Sequence, residues 1–282
     1  MCQNKYQKSI RQINVRLLLC KLSIIMRTLR ILLTNDDGIH APGILAAKLA
    51  LDALGEVFLI APDRQRSAAG HAITLHKPLR ITQTTLANGM QGYGTSGTPT
   101  DCVTLGYEIV MGGRCDLVVS GINAGANLGW DLTYSGTVAA ALEGAVLGLP
   151  ALAVSLVTGR DTQENPDFSL AADYTARLAR QMQTDPLPRN MLLNVNVPSI
   201  PESEMQGMVI THQGRREYVD RIITRDDPAG RPYYWLAGSI REDVADPGSD
   251  VHAILNKQIS ITPVQLDMTA YSLVERLRDW NF

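Results

Sequence analysis

The feature that most constrains the fold is an alternation of short apolar segments with segments of helical periodicity, which begins at Leu29. Strands that are apolar along their whole length are typical of a parallel sheet covered on both faces. Helices that connect such strands cross over them with a right-handed sense. We therefore expect an α/β core built on a mostly parallel sheet with helices on both faces. The predicted strands are LRILLT, VFLIAP, CDLVVSGIN, ALAVSLV and MLLNVNVP, and the predicted helices are PGILAAKLALDAL, TPTDCVTLGYEIVM, SGTVAAALEGAVLGL and SLAADYTARLARQMQ.

The pattern changes after Pro198. Two long strands around a DDPAG turn predict a β-hairpin, DVHAILNKQISITPVQLDMTA contains a further strand, and YSLVERLRDW predicts a terminal helix. We assign residues 26–198 to the core and residues 199–282 to an extension that does not fold alone. An exposed hairpin and a terminal helix are suited to docking on another subunit, which predicts a homodimer or homotetramer. The alternative is that both elements pack on their own chain.

The first 25 residues form a separate basic leader with a short apolar patch, VRLLLCKLSII. Lys21 interrupts the patch and no small-residue cleavage site follows, which argues against a secretory signal. The patch is also too short to span a bilayer. We interpret Met26 as the natural start and the leader as a disordered extension or a start-site artefact. A targeting peptide is the competing interpretation, and the fold prediction leaves the leader out.

Composition excludes several classes of protein. Hydrophobic residues make up 45% of the 282 residues and charged residues 19%, as in a globular protein with a sizeable core. The net charge of −2 argues against DNA, RNA or a membrane surface as partners, and 5% aromatic residues argue against base-stacking platforms. The four cysteines include no C-x-x-C pair, so a disulfide framework and a cysteine zinc site are unexpected. These cysteines fit a reducing compartment, and we expect a cytoplasmic protein.

Polar residues collect where three predicted strands end. In an open parallel sheet, ligands bind beyond the carboxyl ends of the strands, so these residues are expected at one edge. The first strand ends in NDDG, the second runs into APDRQRSAAGH, and the third ends in SGINAGANLG. The candidate residues are Asn35, Asp36, Asp37 and Gly38 after the first strand; Asp63, Arg64, Arg66, Ser67 and His71 after the second; and Ser120, Asn123 and Asn127 after the third.

The adjacent aspartates are the most informative of these residues. Neighbouring side chains on a strand point to opposite faces, so Asp36 and Asp37 can meet one ion only if the strand has ended before them. Gly38 permits the turn that this requires. Two carboxylates with a hydroxyl and a carboxamide form an all-oxygen set, which suits Mg²⁺, Mn²⁺ or Ca²⁺. A divalent cation would also relieve the repulsion between the two carboxylates.

A helix that opens with Ser135, Gly136 and Thr137 predicts an anion site beside the metal. Free main-chain N–H groups and the helix dipole favour an anion at a helix N-terminus. A divalent metal next to a phosphate-sized site indicates metal-assisted phosphoryl chemistry.

Each of these signals also has a simpler structural interpretation. SGT at a helix start is usually an N-cap, NDDG is usually a turn, and a lone histidine is usually structural. Arg64 and Arg66 are equally consistent with solvated surface charges, and Ser67 with an ordinary loop residue. Asn123 would simply favour a left-handed turn. The coincidence of all these signals on one predicted edge favours the functional interpretation.

Six motifs resemble the SurE family (survival protein E) from residue 26 to the C-terminus. They are ILLTNDDGIHAPGI, APDRQRSAAGHAIT, GTPTDCV, VVSGINAGANLG, YSGTVAAALEG and DPGSDVHAILNKQISITPVQLDMT. The resemblance implies a Rossmann-like core and a C-terminal hairpin and helix that are used in dimers or tetramers. It implies a metal-dependent phosphatase that hydrolyses nucleoside 5′-monophosphates, and also 3′-monophosphates, with Mg²⁺ or Mn²⁺. The family's metal ligands fall on Asp36, Asp37, Ser67 and Asn123. Only the leader departs from the family pattern.

The hypothesis for the mechanism assigns a role to each group of residues. Asp37, with Asp36 beside it, orients or deprotonates the attacking water. Ser135, Gly136 and Thr137 hold phosphate oxygens, with help from Asn127. His71 is a candidate for protonating the leaving alkoxide.

Other classes of protein fit the pattern less well. A haloacid-dehalogenase-like phosphatase requires D-x-D after its first strand, whereas the aspartates here are adjacent. A receiver domain is shorter and lacks the glycine-rich third loop. A dinucleotide-binding oxidoreductase would carry G-x-G-x-x-G after the first strand, and none is present. A non-catalytic nucleotide- or phosphate-binding module remains the alternative outside the enzymes.

Overall fold

The structure, a computed structural model, describes residues 28–158, 166–219, 222–236, 239–241 and 246–281. The leader at residues 1–25 lies outside the described residues, so its interpretation stays a prediction. Within them, nine strands form one sheet in the order β3-β4-β2-β1-β5-β6-β7-β13-β8. The six strands from β4 to β7 in this order are parallel, and antiparallel pairs occur at β3–β4 and at β13–β7.

The strands of the sheet are β1 Leu29–Thr34, β2 Gly55–Pro62, β3 Ile81–Thr85, β4 Gln91–Thr95, β5 Leu117–Ala124, β6 Ala151–Val157, β7 Met191–Pro198, β8 Met208–Ile210 and β13 Ile259–Gln265. Outside it lie β9 Glu217–Val219, β10 Ile222–Asp226, β11 Pro232–Leu236 and β12 Ser239–Arg241. The helices are α1 Pro42–Leu51, α2 Pro99–Leu105, α3 Gly136–Val146, α4 Ser169–Thr184, α5 Asp250–Leu255 and α6 Tyr271–Arg278. A short π-helix at Gly106–Val110 continues α2. A short 3₁₀ helix at Gly129–Thr133, called the 3₁₀ turn below, precedes α3.

The core lies on both faces of the sheet, as the apolar strands predict. On β1, Ile31 and Leu33 face helices α1 and α4, while Leu32 between them faces α2 and α3. This alternation follows from the two-residue period of a strand. Glycines allow close layer packing, since a Cβ on Gly144 of α3 would lie 2.9 Å from Val118 of β5. The predicted α/β fold is confirmed.

The structure contains a strand pair and a helix that the sequence prediction lacks. Strands β3 and β4 form an antiparallel pair at one sheet edge, and the sequence prediction contained neither of them. Their alternation is weak because most side chains of β3 are exposed or half-buried and β4 contains two glycines. Residues 250–255 form a helix before the predicted strand. The missed signal was the cap, since Ser249 Oγ accepts a hydrogen bond from the main-chain N–H of His252 at 3.1 Å.

The C-terminal extension divides into two parts. Strands β8 and β13 join the central sheet, whereas β10 and β11 form the separate hairpin predicted around DDPAG. Asp227 Oδ1 closes its turn by accepting from the main-chain N–H groups of Ala229 and Arg231 at 2.8 and 2.9 Å. None of the helices within the described ranges combines the length and the apolar character that a bilayer crossing requires.

Candidate active site

The turn after β1 separates Asp36 and Asp37 from the strand. Asn35 closes this turn with its side chain, which accepts from the Gly38 N–H at 3.1 Å and donates to the Gly38 carbonyl at 3.0 Å. Gly38 has φ of 101°, and a Cβ there would lie 3.2 Å from the main chain of Arg64. The strand therefore ends at Thr34, and the strand alternation no longer dictates where the two carboxylates point.

Asp36 is buried against the first turn of α3. Its side chain is 4% exposed, and its Oδ1 accepts a hydrogen bond from Thr137 Oγ1 at 2.5 Å. The main-chain N–H of Thr137 also donates to this carboxylate. Gly136 makes room for it, because a Cβ on Gly136 would lie 2.9 Å from Asp36 Oδ2. Thus α3, which begins 100 residues later in the chain, orients Asp36 through its N-terminus.

The sequence prediction placed a substrate phosphate at this helix start, and the structure brings Asp36 there. Ser135 Oγ is the N-cap and accepts from the main-chain N–H of Val138 at 3.1 Å. The hydroxyl of Thr137 is already committed to Asp36. Ser135 and Thr137 are therefore tied into the framework that holds the aspartate, and their contact with phosphate stays a prediction.

Asp37 connects two further elements. Its Oδ2 accepts from the main-chain N–H of Ala124, at the end of β5, at 3.1 Å. Its Oδ1 faces Nε2 of Gln65 at 3.4 Å, and the same Nε2 donates to Ser67 Oγ at 2.9 Å. A single hydrogen-bond donor thus lies between oxygens of Asp37 and Ser67. The loop after β2 and the end of β5 therefore both reach Asp37.

Asn123 lies directly after an irregularity in the pairing of β5 with β6. The pairing of β5 with β6 shifts between Ser120 and Asn123, which redirects the strand end. Gly121 permits the close approach, since its φ is 132° and a Cβ would lie 2.3 Å from the Val154 carbonyl. The Asn123 amide nitrogen donates to the Gly125 carbonyl at 2.8 Å, which turns the amide oxygen away from that loop.

Burial raises the pKa of both aspartates. The pKa of Asp36 rises to about 6, mainly through burial and with a further contribution from the charge of Asp37, against the lowering effect of Thr137. Burial is also the largest cause of the raised pKa of Asp37. A raised carboxyl pKa means that the charged form costs folding free energy. In the metal-free protein this cost grows as pH rises from the ordinary carboxyl pKa of 3.8 to about 6 at Asp36.

The donor set fits a hard divalent cation. Each of Asp36, Asp37, Ser67 and Asn123 offers an oxygen atom as a ligand. Two adjacent carboxylates, of which Asp36 is buried and Asp37 half-buried, favour a compact positive charge. The part of the chain that the structure describes contains no cluster of three or more His, Cys, Asp or Glu side chains suited to a metal. A four-ligand site at this edge would therefore need the neutral oxygens of Ser67 and Asn123 beside the two carboxylates.

Asn127 lies in a buried polar network rather than at the surface of the site. Its amide nitrogen donates to Ser155 Oγ at 2.7 Å, and its main-chain N–H donates to Asn196 Oδ1 at 2.9 Å. Asn194 and Asn196 of β7 both donate to its carbonyl, at 2.9 and 3.0 Å. The sequence prediction missed these partners, although asparagines inside the apolar strand MLLNVNVP are the signal that would have found them. These four hydrogen bonds hold the glycine-rich loop in place at Asn127.

Asp250 is a second residue that the sequence prediction missed. It is fully buried, and its Oδ2 accepts from the main-chain N–H of Gly129 at 2.8 Å. Its Oδ1 accepts from the N–H groups of Gly214 and Val251 at 2.9 and 2.8 Å. One carboxylate therefore connects the 3₁₀ turn before α3, the segment before β9 and the start of α5.

Residues 213–216, which directly precede β9, also hold the 3₁₀ turn at Gly129–Thr133. Gln213 donates to the Gly129 carbonyl at 2.9 Å, and Arg216 pairs with Asp131 at 2.7 Å. The Arg215 guanidinium lies 5.8 Å from the centre of the Trp130 ring. The turn that leads into Ser135 is therefore positioned by residues from the C-terminal extension.

The other basic candidates have partners outside the carboxylate pair. His71 Nε2 lies 3.0 Å from Glu143 Oε2 on α3, and this contact is the largest cause of the lowered pKa of Glu143. Arg66 donates to the Ser96 carbonyl at 3.2 Å, and the exposed Arg64 lies 3.6 Å from Asp63. The geometry therefore gives His71 an anchoring contact to α3, and its role as general acid stays a prediction.

The GTPTDCV motif has a structural role beside the site. Asp101 accepts from the Thr74 N–H and hydroxyl at 3.0 and 2.6 Å and from the Thr98 N–H at 2.8 Å. Thr98 Oγ1 in turn donates to the Ala72 carbonyl at 2.7 Å. These bonds fix the segment that follows the Ser67 loop to the start of α2.

Comparison with known proteins gives one consistent result. The family model described as survival protein SurE matches residues 31–220. A 5′-nucleotidase SurE of Geobacter sulfurreducens is 48% identical over 255 residues, which cover 90% of this chain and 94% of that protein. A 5′-nucleotidase SurE of Pelobacter propionicus is 49% identical, with coverage of 90% and 100%. The crystal structure of the SurE protein from Aquifex aeolicus aligns with a TM-score of 0.77 and 39% identity, covering 88% of this chain and 98% of that one.

Proposed function

This chain belongs to the SurE family, and on that premise we propose that it is a 5′-nucleotidase, a metal-dependent phosphatase of nucleoside 5′-monophosphates. Its products are a nucleoside and inorganic phosphate, and 3′-monophosphates are accepted as well. The observation that carries the proposal is the pair of adjacent carboxylates, Asp36 and Asp37, held by separate elements at the carboxyl edge of a parallel sheet. The substrate that we propose is a small nucleotide rather than a nucleic acid, in line with the net charge of −2.

Asp36, Asp37, Ser67 and Asn123 would hold the divalent cation, and Mg²⁺ or Mn²⁺ suits their oxygen donors. When bound there, the cation supplies positive charge for the phosphate oxygens and makes water more acidic. Asp36 keeps its orientation through Thr137, and the 2.5 Å bond between them limits its rotation. Because Gly136 has no side chain, the Asp36 carboxylate can pack directly against the first turn of α3.

Asp37 is the residue that we assign to the attacking water. The Ala124 N–H holds its Oδ2, and its Oδ1 faces the exposed amide of Gln65 at the longer distance of 3.4 Å. Oδ1 therefore accepts the water proton while Oδ2 stays fixed, as a positioned general base requires. The water oxygen attacks phosphorus and the bond from phosphorus to the ester oxygen breaks. The leaving alkoxide takes a proton from solvent to give the nucleoside, and Asp37 returns its proton to solvent. Ser135, Gly136 and Thr137 remain the proposed phosphate contacts, and Asn127 assists them by holding the glycine-rich loop in place.

The test is phosphate release from a panel of 5′- and 3′-monophosphates, with EDTA treatment and metal add-back. We expect turnover to disappear with EDTA and to return with Mg²⁺ or Mn²⁺. Activity that EDTA leaves unchanged would contradict the metal site. Tight nucleotide binding without phosphate release would instead support a non-catalytic binding module.

We also propose that the hairpin of β10 and β11 mediates a homodimer or homotetramer. Trp235 is 60% exposed and Leu236 is 89% exposed on this two-stranded sheet, and contiguous apolar surface of this kind is typical of interfaces. Replacing Trp235 with Glu is expected to lower the molar mass measured by light scattering after size exclusion. An unchanged mass, or a wild-type protein that is already monomeric, would argue that the hairpin is not the interface.

The two described cysteines support the predicted compartment. Cys102 and Cys115 are both free, and burial raises the pKa of each thiol, to about 11 for Cys115. Free, unreactive thiols fit a reducing environment, so we propose a cytoplasmic location.

A further inference from the structure

Tyr134 is an exposed aromatic residue on a rigid main chain. Its side chain is 63% exposed, so most of the ring surface is available to a ligand. The main chain around it is fully bonded: the Tyr134 N–H donates to the Asp131 carbonyl at 3.0 Å, and the Tyr134 carbonyl accepts from the Gly70 N–H at 3.1 Å. The fold therefore presents the ring to solvent from a fixed main-chain position.

The position of this ring relates it to the candidate active site. Tyr134 directly precedes Ser135, so their Cα atoms are about 3.8 Å apart, and Ser135 caps the helix that holds Asp36. Gly70, which bonds to Tyr134, follows Ser67 by three residues in the same loop. The main chain of Tyr134 therefore lies between the loop with Ser67 and the helix start beside Asp36, and its exposed side chain starts from the rim of the site.

Among the described residues, the strongly exposed aromatic rings fall in three places. The rings on the hairpin and near the C-terminus belong to the C-terminal extension. The only other strongly exposed rings of the described residues lie in residues 130–134, beside the site. Of the two rings there, Trp130 already has the Arg215 guanidinium 5.8 Å from its ring centre, and Tyr134 is the more exposed. The exposed rings are Trp130, Tyr134, Tyr233, Tyr234, Trp235, Tyr271 and Trp280.

We propose that the Tyr134 ring stacks on the nucleobase of the substrate. The proposal rests on the function proposed above, because it places the phosphate at Asp36 and Asp37 and the base at the rim. The low aromatic content argues against platforms for a nucleic-acid strand, but a single nucleotide needs only one ring. Stacking on a π-face is tolerant of base identity, so this contact favours nucleotides over other phosphate esters without selecting one base.

The test compares a substrate with a base and one without it. Tyr134→Ala is expected to lower kcat/KM for adenosine 5′-monophosphate by about 5- to 150-fold, the equivalent of about 1–3 kcal/mol per stacked base. Turnover of ribose 5-phosphate, which lacks the base, is expected to stay within about twofold. Tyr134→Phe keeps the ring and is expected to behave as the wild type. Tyr271→Ala removes a ring that is 66% exposed near the C-terminus and is the matched control.

Equal losses on both substrates would overturn the proposal, because they would show that Tyr134 supports the fold of the site. No loss on either substrate would overturn it as well. Calorimetric binding of adenosine 5′-monophosphate gives a readout that does not need turnover, and Tyr134→Ala is expected to weaken it by the same factor relative to Tyr134→Phe. A wild-type protein that binds the nucleotide but releases no phosphate would contradict the proposed nucleotidase and leave the stacking result decisive.

Discussion

Replacing Asp37 with Asn is expected to lower kcat/KM for a nucleoside 5′-monophosphate by about 100- to 10 000-fold, the range for loss of a general base. The amide keeps the size of the side chain and an oxygen for the Ala124 N–H, but it cannot accept the water proton at the second position. It also removes one of two adjacent negative charges from the metal site. We therefore expect weaker Mn²⁺ binding, which calorimetry measures independently of turnover.

A matched control separates this effect from unfolding. Asp52→Asn makes the same chemical change at an exposed position whose carboxylate pairs with Lys48 at 2.5 Å, and it is expected to leave turnover and Mn²⁺ binding unchanged. Asp37→Asn removes a charge repulsion, so the metal-free variant is expected to melt no lower than the wild type. Wild-type turnover in Asp37→Asn would refute both the ligand and the base assignment.

The second large effect is expected for stability. Asp250→Ala leaves the buried main-chain N–H groups of Gly129, Gly214 and Val251 without their acceptor. Each unsatisfied buried donor costs about 1–3 kcal/mol, so we expect a loss of at least about 3 kcal/mol in the free energy of unfolding. For a chain of this size that loss corresponds to a drop of about 6–12 °C in Tm. Thermal unfolding followed by circular dichroism measures it.

Asp167→Ala is the control for this prediction. Asp167 also accepts from a main-chain N–H, that of Ser169 at 2.9 Å, but it is exposed and water can replace it. A change of about 0.5 kcal/mol is expected there. Because Asp250 holds the turn before Ser135, Asp250→Ala is also expected to lower turnover at temperatures where the protein remains folded. Equal melting temperatures for Asp250→Ala and the wild type would show that the carboxylate does not hold these segments together.

The sequence located the edge of the sheet where the site lies, because local patterns carry that information. Apolar segments at Leu29–Thr34 and Leu117–Ala124 predict buried strands, and the polar residues that follow them must lie at the carboxyl edge of a parallel sheet. The same local logic failed at α5, where residues 250–255 were assigned to a strand region and the cap at Ser249 was missed. It also failed at β3, whose side chains are all exposed or half-buried, and at β4, which contains two glycines.

The role of the helix start at Ser135 could not be derived in this way. Its sequence predicts an anion at the N-terminus of α3, but it does not say which anion lies there. In the folded chain that anion is the carboxylate of Asp36, brought there by packing of α3 against the end of β1. The tertiary structure supplied this partner, and contact with a substrate phosphate stays a prediction.

By itself, the sequence determined the α/β class, the edge of the sheet and the oxygen-rich character of the site. Apolar periodicity and neighbouring residue types are local properties, so they can be read along the chain. Only the tertiary structure decided that Thr137 holds Asp36, that Ala124 holds Asp37 and that Asp250 holds the turn before α3. These bonds join residues 101, 87 and 121 positions apart, respectively. Such pairs form because packing of the strands and helices brings them together, and no local pattern encodes that packing.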